Sequence, residues 1–284
     1  MTGRRALAFV RNNRLAFAAL LVILAMALAA LFAPWLAPYP GDAHGQAHSA
    51  EAFQPPSARH PFGTDSVGRD LLSLVLFGGR ISLSAGLIAI VCALCIGVPL
   101  GLVAGYAGGW VDEVIMRFTD VVLSFPALLL AVAISALLGP SLTNAILAIA
   151  LSWWPWYTRL VRSQVAVVRT AGFVEAAILA GQPRAAIVTR HVLPNALTPI
   201  IVQASMDLGS VILTLAGLSF LGMGAQPPSA EWGLLVSQGR SYILSDWWYV
   251  TFPGLAILVA AGALNMVGDG LRDVLDPRQR GAYR

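Results

Sequence analysis

The sequence predicts an all-α polytopic membrane protein with six membrane-spanning helices and both termini in the cytoplasm. Composition is the first reason. The 284 residues are 57% hydrophobic and 11% charged, with a mean hydropathy of +0.74. A soluble domain carries about 25% charged residues, so this chain is too poor in charge to cover itself for water. The second reason is six apolar stretches, each near the ~20 residues a helix needs to cross hydrocarbon. The third is the placement of charge. The 18 basic residues are all Arg, and only Arg59, Arg69, Arg80 and Arg240 fall on the side opposite the rest. Positive charge collects on the cytoplasmic side, which orients the chain. The net charge of +4 then reads as a topology signal rather than a nucleic-acid footprint.

The first span runs from about Leu15 to Ala33, after Arg4, Arg5, Arg11 and Arg14. It is too long for the apolar core of a cleaved leader and ends at Pro34-Trp35 rather than small residues, so it reads as an uncleaved anchor. A polar, Pro- and Gly-containing segment follows to about residue 79, extracytoplasmic by alternation. Its end, from Asp70 to Phe77, has helical apolar spacing and is expected along the membrane surface, capped by Asp65 or Ser66. Residues 1–79 form the N-terminal part and 80–271 a five-helix core, with 272–284 as a cytoplasmic tail.

The second span covers about Ile81 to Ala104 and carries Gly97, Gly101 and Gly105 four residues apart. Such a ladder lets a neighbouring helix approach closely, and Pro99 is expected to kink it. Cys92 and Cys95 lie in the same apolar run without His or acidic neighbours, so they read as small helix residues rather than a redox or metal pair. The third span is about Val114 to Leu137, with Arg117 and Asp120 as a local pair near its inner end. The fourth is about Leu142 to Leu160, followed by Arg162. The fifth is about Leu197 to Leu221 and the sixth about Val250 to Val267, the latter behind an interfacial Asp246-Trp247-Trp248-Tyr249.

Between spans four and five lies a polar island, residues 163–194, containing Arg169, Arg184 and Arg190. It reads as two short helices and a corner. Phe173 to Ala180 is a good helix former, Gly181 suits the left-handed position that closes it, and Pro183 suits the first turn of the next. Pro194 then suits a sharp return into the membrane. By composition alone the island is equally an ordinary helical loop or a contact surface for a soluble partner.

Glu175-Ala176-Ala177, Gly181 six residues after the Glu, and Leu193-Pro194 resemble the signature loop of permease subunits of binding-protein-dependent ABC importers. Further segments resemble the subclass handling dipeptides, oligopeptides and nickel, in particular the second permease of each pair. They are His60-Pro-Phe-Gly-Thr-Asp-Ser-Val-Gly-Arg-Asp70, Phe77-Gly-Gly-Arg-Ile-Ser82, Leu123-Ser-Phe-Pro126, Leu218-Ser-Phe-Leu-Gly222 with Gln226-Pro-Pro, and Gly268-Asp-Gly-Leu-Arg-Asp-Val-Leu-Asp-Pro277. The resemblance spans nearly the whole chain. It implies a type I ABC importer permease fold in the inner membrane of a prokaryote. It implies a heterodimer with a second permease, two ATP-binding subunits and an extracytoplasmic substrate-binding protein. Glu175, Ala176, Ala177, Gly181, Leu193 and Pro194 would form the ATPase-coupling loop. ATP and Mg would sit on the partner subunits, with no cofactor on this chain, which has no phosphate-binding G-x-x-x-x-G-K-[ST] sequence. The implied chain is a transport subunit, not an enzyme, with di- or oligopeptides as the first cargo reading and nickel or another small solute as the alternative.

Two departures from the family pattern stand out. Gln182-Pro183-Arg184 replaces the usual small and acidic residues after Gly181, and apolar Leu215-Ala216 stands where an acid often precedes Leu218-Ser-Phe-Leu-Gly. Asp207 lies inside span five, where an acid costs ~2.5–3.5 kcal/mol to insert. It reads either as a residue of the translocation path or as a packing residue paired to Ser205, Ser210 or a neighbouring helix. His44 and His48, with His60 nearby, suggest a metal relay less than a solvated loop, because Pro40-Gly41 and Gly45 oppose a helix there. His191 reads as structural. An ion-driven transporter would show inverted repeats and several buried acids, which are not apparent. A membrane scaffold would use the glycine ladder but not the Glu175 to Pro194 spacing, and no catalytic constellation suits an intramembrane enzyme.

Overall fold

A computed structural model describes residues 14–275. Arg4, Arg5, Arg11, Arg278, Arg280, Arg284 and most of the expected C-terminal tail lie outside the described residues. Eleven α-helices, a few 3₁₀ turns and one isolated bridge, Thr64 to Asp70, make up the regular structure among those residues.

Helix α1 (Arg14–Leu31) is apolar all round, yet only Ala16, Ala19 and Ala30 are buried. A helix that leaves Leu15, Leu21, Leu24 and Leu31 uncovered belongs against lipid rather than water. A short α2 (Ala33–Leu36) follows, and residues 37–70 form a compact cap with 3₁₀ turns at Pro40–His44 and Ser49–Glu51.

Helix α3 (Leu71–Ala107) has 37 residues, a length of ~55 Å. It is continuous from the cap through Pro99 to the far end of the molecule. The expected surface helix at residues 70–77 is therefore the first turns of this long helix. Its N-cap is Asp70, whose carboxylate accepts from Ser73 N–H at 2.8 Å and Ser73 Oγ at 2.7 Å. Asp65 and Ser66 do not cap it; Asp65 is instead engaged by Arg69 through Nε at 2.7 Å.

The third span also departs from expectation. It is broken into α4 (Gly109–Leu123) and α5 (Ala127–Leu138), bent by 85°. Pro126 explains the break: it offers no N–H, and it pushes Phe125 out of helical conformation. Helix α6 (Leu142–Arg169) starts at Ser141, which caps Asn144 N–H at 3.1 Å. Arg117 and Asp120 are not each other's partners: Arg117 faces Glu113 at 3.6 Å, and Asp120 accepts from Arg159 of α6. Arg162 grips Asp112 of α4 through two nitrogens, at 3.0 and 2.5 Å.

Helix α6 lies against the glycine ladder. An added Cβ at Gly97 would lie 2.7 Å from Trp154 O, at Gly101 2.6 Å from Thr158 O, and at Gly105 2.7 Å from Arg162 O. Only a hydrogen side chain lets the two backbones meet at three successive turns. Thr158 adds a hydrogen bond from its hydroxyl to Gly97 O at 3.2 Å.

The chain then forms α7 (Gly172–Leu179), α8 (Arg184–Ile187), a π-helical turn (Val188–Val192) and α9 (Leu193–Phe220). The expected corner at Pro194 is absent. Residues 184–220 are one continuous helical rod: the π-helical turn directly precedes Pro194, with Leu193 N–H donating to Val188 O, and the chain runs on through the proline. A loop, α10 (Trp232–Gly239) and α11 (Trp248–Leu275) complete the chain. Among the described residues, four helices are long and apolar enough to span a bilayer, and five spans result if the bent α4–α5 pair counts as one.

Candidate functional site

Two places carry the residues singled out from the sequence. The first is the loop after α6. Val174 and Ala177 turn inward onto Val161, Val165, Ile187 and Val192, and this small apolar cluster seats α7 on the end of α6. Glu175, Ala176, Ile178 and Leu179 turn outward, with Leu179 88% exposed. Ala177 faces inward: as every third or fourth residue shares a helix face, it belongs with Val174.

Gly181 has φ +72°. Its N–H donates to Ile178 O at 3.0 Å, and Gln182 N–H to Ala177 O at 3.2 Å, a left-handed closure that only glycine makes without strain. Pro183 lies one position before the next helix rather than inside it. Gln182, the departure from the family pattern, pairs its Oε1 with His191 Nε2 at 3.0 Å, bracing the two limbs of the loop. Leu193 is half-buried and Pro194 exposed at the start of α9.

The second place is a recess of about 500 Å³ lined by Trp153, Trp156, Arg159, Leu160, Gln203, Asp207 and Ser210. Asp207 sits at its wall. Tyr157 Oη donates to Asp207 Oδ2 at 2.9 Å, and Gln203 Nε2 donates to Oδ1 at 2.9 Å. Of the pairings open from sequence, the neighbouring helix holds, through Tyr157 of α6; Ser205 instead donates to Val202 O. The ladder sets this up, since Gly97 abuts Tyr157 Cβ. Gln203, Asp207, Ser210 and Thr214 follow helical spacing along one face of α9. A polar stripe through an apolar span requires water or protein against it. Leu215 and Ala216 are buried.

The sequence reading missed a third arrangement, at the opposite end of α3. His60, expected in a solvated loop, is 1% exposed. Its Nδ1 lies 3.0 Å from Asp70 Oδ1 and its Nε2 3.5 Å from Glu51 Oε2. Asp42 accepts from Asp70 N–H at 2.7 Å and meets His48 at 3.1 Å. Arg69 reaches Pro228 O at 3.3 Å. Glu231, fully buried, accepts from Ser82 Oγ and from Gly233 and Leu234 N–H at 2.9–3.1 Å. His44 packs edge-on to Phe77. Among the described residues no three His, Cys, Asp or Glu side chains converge as a metal ion requires.

Residues 97–281 match the family described as binding-protein-dependent transport system inner membrane component. The chain belongs to that family. Residues 3–56 match the N-terminal transmembrane domain of oligopeptide transport permease C. The chain is 47% identical over 279 residues to a probable D,D-dipeptide transport system permease of Escherichia coli (strain K12), covering 98% of this chain and 93% of that one. It is 45% identical to a dipeptide transport system permease of Alkalihalophilus pseudofirmus, covering 98% and 90%. A glutathione transport system permease of Pectobacterium atrosepticum is 42% identical, covering 95% and 89%. Inward-facing structures of the MetNI methionine ABC transporter share the fold, with a TM-score of 0.60 at 20% identity, covering 72% of this chain and 97% of that one. This inner-membrane family member is thus a transport component rather than a catalyst, and the all-α permease fold expected from the sequence holds.

Proposed function

We propose that this chain is one permease of an ATP-driven importer of di- and oligopeptides, pairing with a second, different permease to enclose the path. Two ATP-binding subunits, carrying ATP and Mg, would dock on the 163–194 loop, and an extracytoplasmic binding protein would deliver cargo at the cap. The relatives named for dipeptides, D,D-dipeptides and glutathione support peptide cargo. Counting amphipathic α6 as a span alongside α1, α3, α4–α5, α9 and α11 gives six, with both termini in the cytoplasm, as the Arg distribution favours. On this reading residues 1–79 anchor and cap a five-helix core of residues 80–271, with residues 272–284 as a tail.

The observation that carries the proposal is α7 itself. It is seated firmly through Val174 and Ala177, yet it leaves Glu175, Ala176, Ile178 and Leu179 exposed among the described residues. A short helix seated on α6 and presenting one face can enter a groove on a partner and pass its displacement to the span behind it. ATP-driven approach of the two ATPase subunits would push α7, and the rigid rods on either side of the loop would carry that motion to the path. Glu175→Arg and Gly181→Val test this in proteoliposomes holding the complete importer. Both variants are expected to insert normally and to lose at least tenfold in uptake relative to ATP hydrolysed. Wild-type uptake by both would remove α7 from the coupling path.

A further inference from the structure

We propose that the recess beside Asp207 is a cation-selective way station that holds the protonated amino group of the transported solute. The inference rests on the reading of α9 as lining the path. It goes beyond that reading by assigning a ligand chemistry to one site on it.

Charge is the first argument. The two hydrogen bonds that Asp207 accepts come from neutral groups, Tyr157 and Gln203. They aim the carboxylate without cancelling its charge, and a carboxylate has about four acceptor sites, of which these fill two. Among the described residues no Arg or His forms an ion pair with Asp207. Arg159, the cation lining the recess, is already engaged by Asp120. With Arg159 turned to Asp120, Asp207 is the lining charge with no ion-pair partner among the described residues, and its open acceptor sites face the recess.

Shape and surroundings are the second argument. The indoles of Trp153 and Trp156 line the same recess, and indole attracts ammonium groups more strongly than any other side-chain ring. A volume of about 500 Å³ lies within the range of small-molecule sites. Gln203, Ser210 and Thr214 extend the polar face above and below Asp207, so a charged solute reaches the carboxylate along hydrogen-bonding groups. A carboxylate retained for packing alone would have no need of an open, aromatic-walled space beside it.

The test is charge-selective labelling of the assembled importer. Ser210, exposed in the recess, is replaced by Cys in a Cys92→Ala, Cys95→Ala chain. Labelling rates of this chain are measured with trimethylammonium-ethyl and sulfonato-ethyl methanethiosulfonate, each divided by its rate with a free thiol. The expected result is at least a tenfold preference for the cationic reagent, falling below threefold in Asp207→Asn and surviving in Asp207→Glu and Tyr157→Phe. Without any change at Asp207, ethylammonium should slow labelling by a neutral reagent, and propionate should not. Equal normalised rates, a preference indifferent to Asp207→Asn, equal protection by both ions, or a reporter unreactive to all reagents would each overturn the proposal. Uptake of dialanine by the wild-type importer is measured alongside. Its absence would overturn peptide as the cargo, while the labelling result still decides the recess.

Discussion

At one end of α3, the cap buries Asp42, His60, Asp65, Arg69 and Asp70 and pairs each of them within the chain. At the other end, residues 170–192 form no ion pair among the described residues and leave Phe173, Ile178 and Leu179 uncovered. The cap spends its polar groups on itself. The loop, once seated through Val174 and Ala177, keeps its outer face for something else. Burying charge is costly unless every partner is present, so a region that does it is specified by its own structure. A region that exposes large apolar side chains beside a polar surface signals a missing partner. Substitutions should therefore cost stability in the cap and activity in the loop.

The largest stability effect is expected from Asp70→Ala. It removes the cap of α3 and strips His60 of its closest partner in a buried site, a loss of about 3–5 kcal/mol. Thermal denaturation of the detergent-solubilised chain checks this, and a shift no larger than that of surface variants would show that the cap is not self-specified. Gly101→Val should cost about 1–3 kcal/mol by forcing α3 and α6 apart, read in the same assay. His48→Ala leaves one oxygen of the buried Asp42 without its partner, though His48 itself is half-exposed, and should cost about 1–2 kcal/mol. Leu179→Arg should change stability by only ~0.5 kcal/mol or less.

The sequence showed these two ends unequally. Loop geometry is local, so Gly181 and the α7 helix were legible from a few neighbours, and Gly97, Gly101 and Gly105 announced a close helix contact without naming α6. Pro126 was in view, but Pro99, Pro155, Pro199 and Pro253 stand inside unbroken helices, so a proline alone does not mark which span breaks. Pro194 misled because a π-helical turn at Val188–Val192 stands directly before it and the helix runs on through the proline, and nothing in the local sequence marks that turn. The cap was the least legible region. Its central pairs, His60–Asp70 and Asp42–Asp70, join residues 10 and 28 apart, and no periodicity records them. Tyr157, 50 residues from Asp207, is hidden in the same way.

The central claim is that α7 docks ATP-hydrolysing partners, and co-purification tests it most directly. The chain, tagged, is isolated gently from its own host's membranes as wild type and as Leu179→Arg, and the recovered proteins are identified by mass spectrometry. The account predicts that wild type brings down a second permease and ATP-binding subunits, and that Leu179→Arg keeps the second permease but loses most of the ATP-binding subunits. Equal recovery of those subunits by both chains, or recovery of an intact wild-type chain without them, would contradict it.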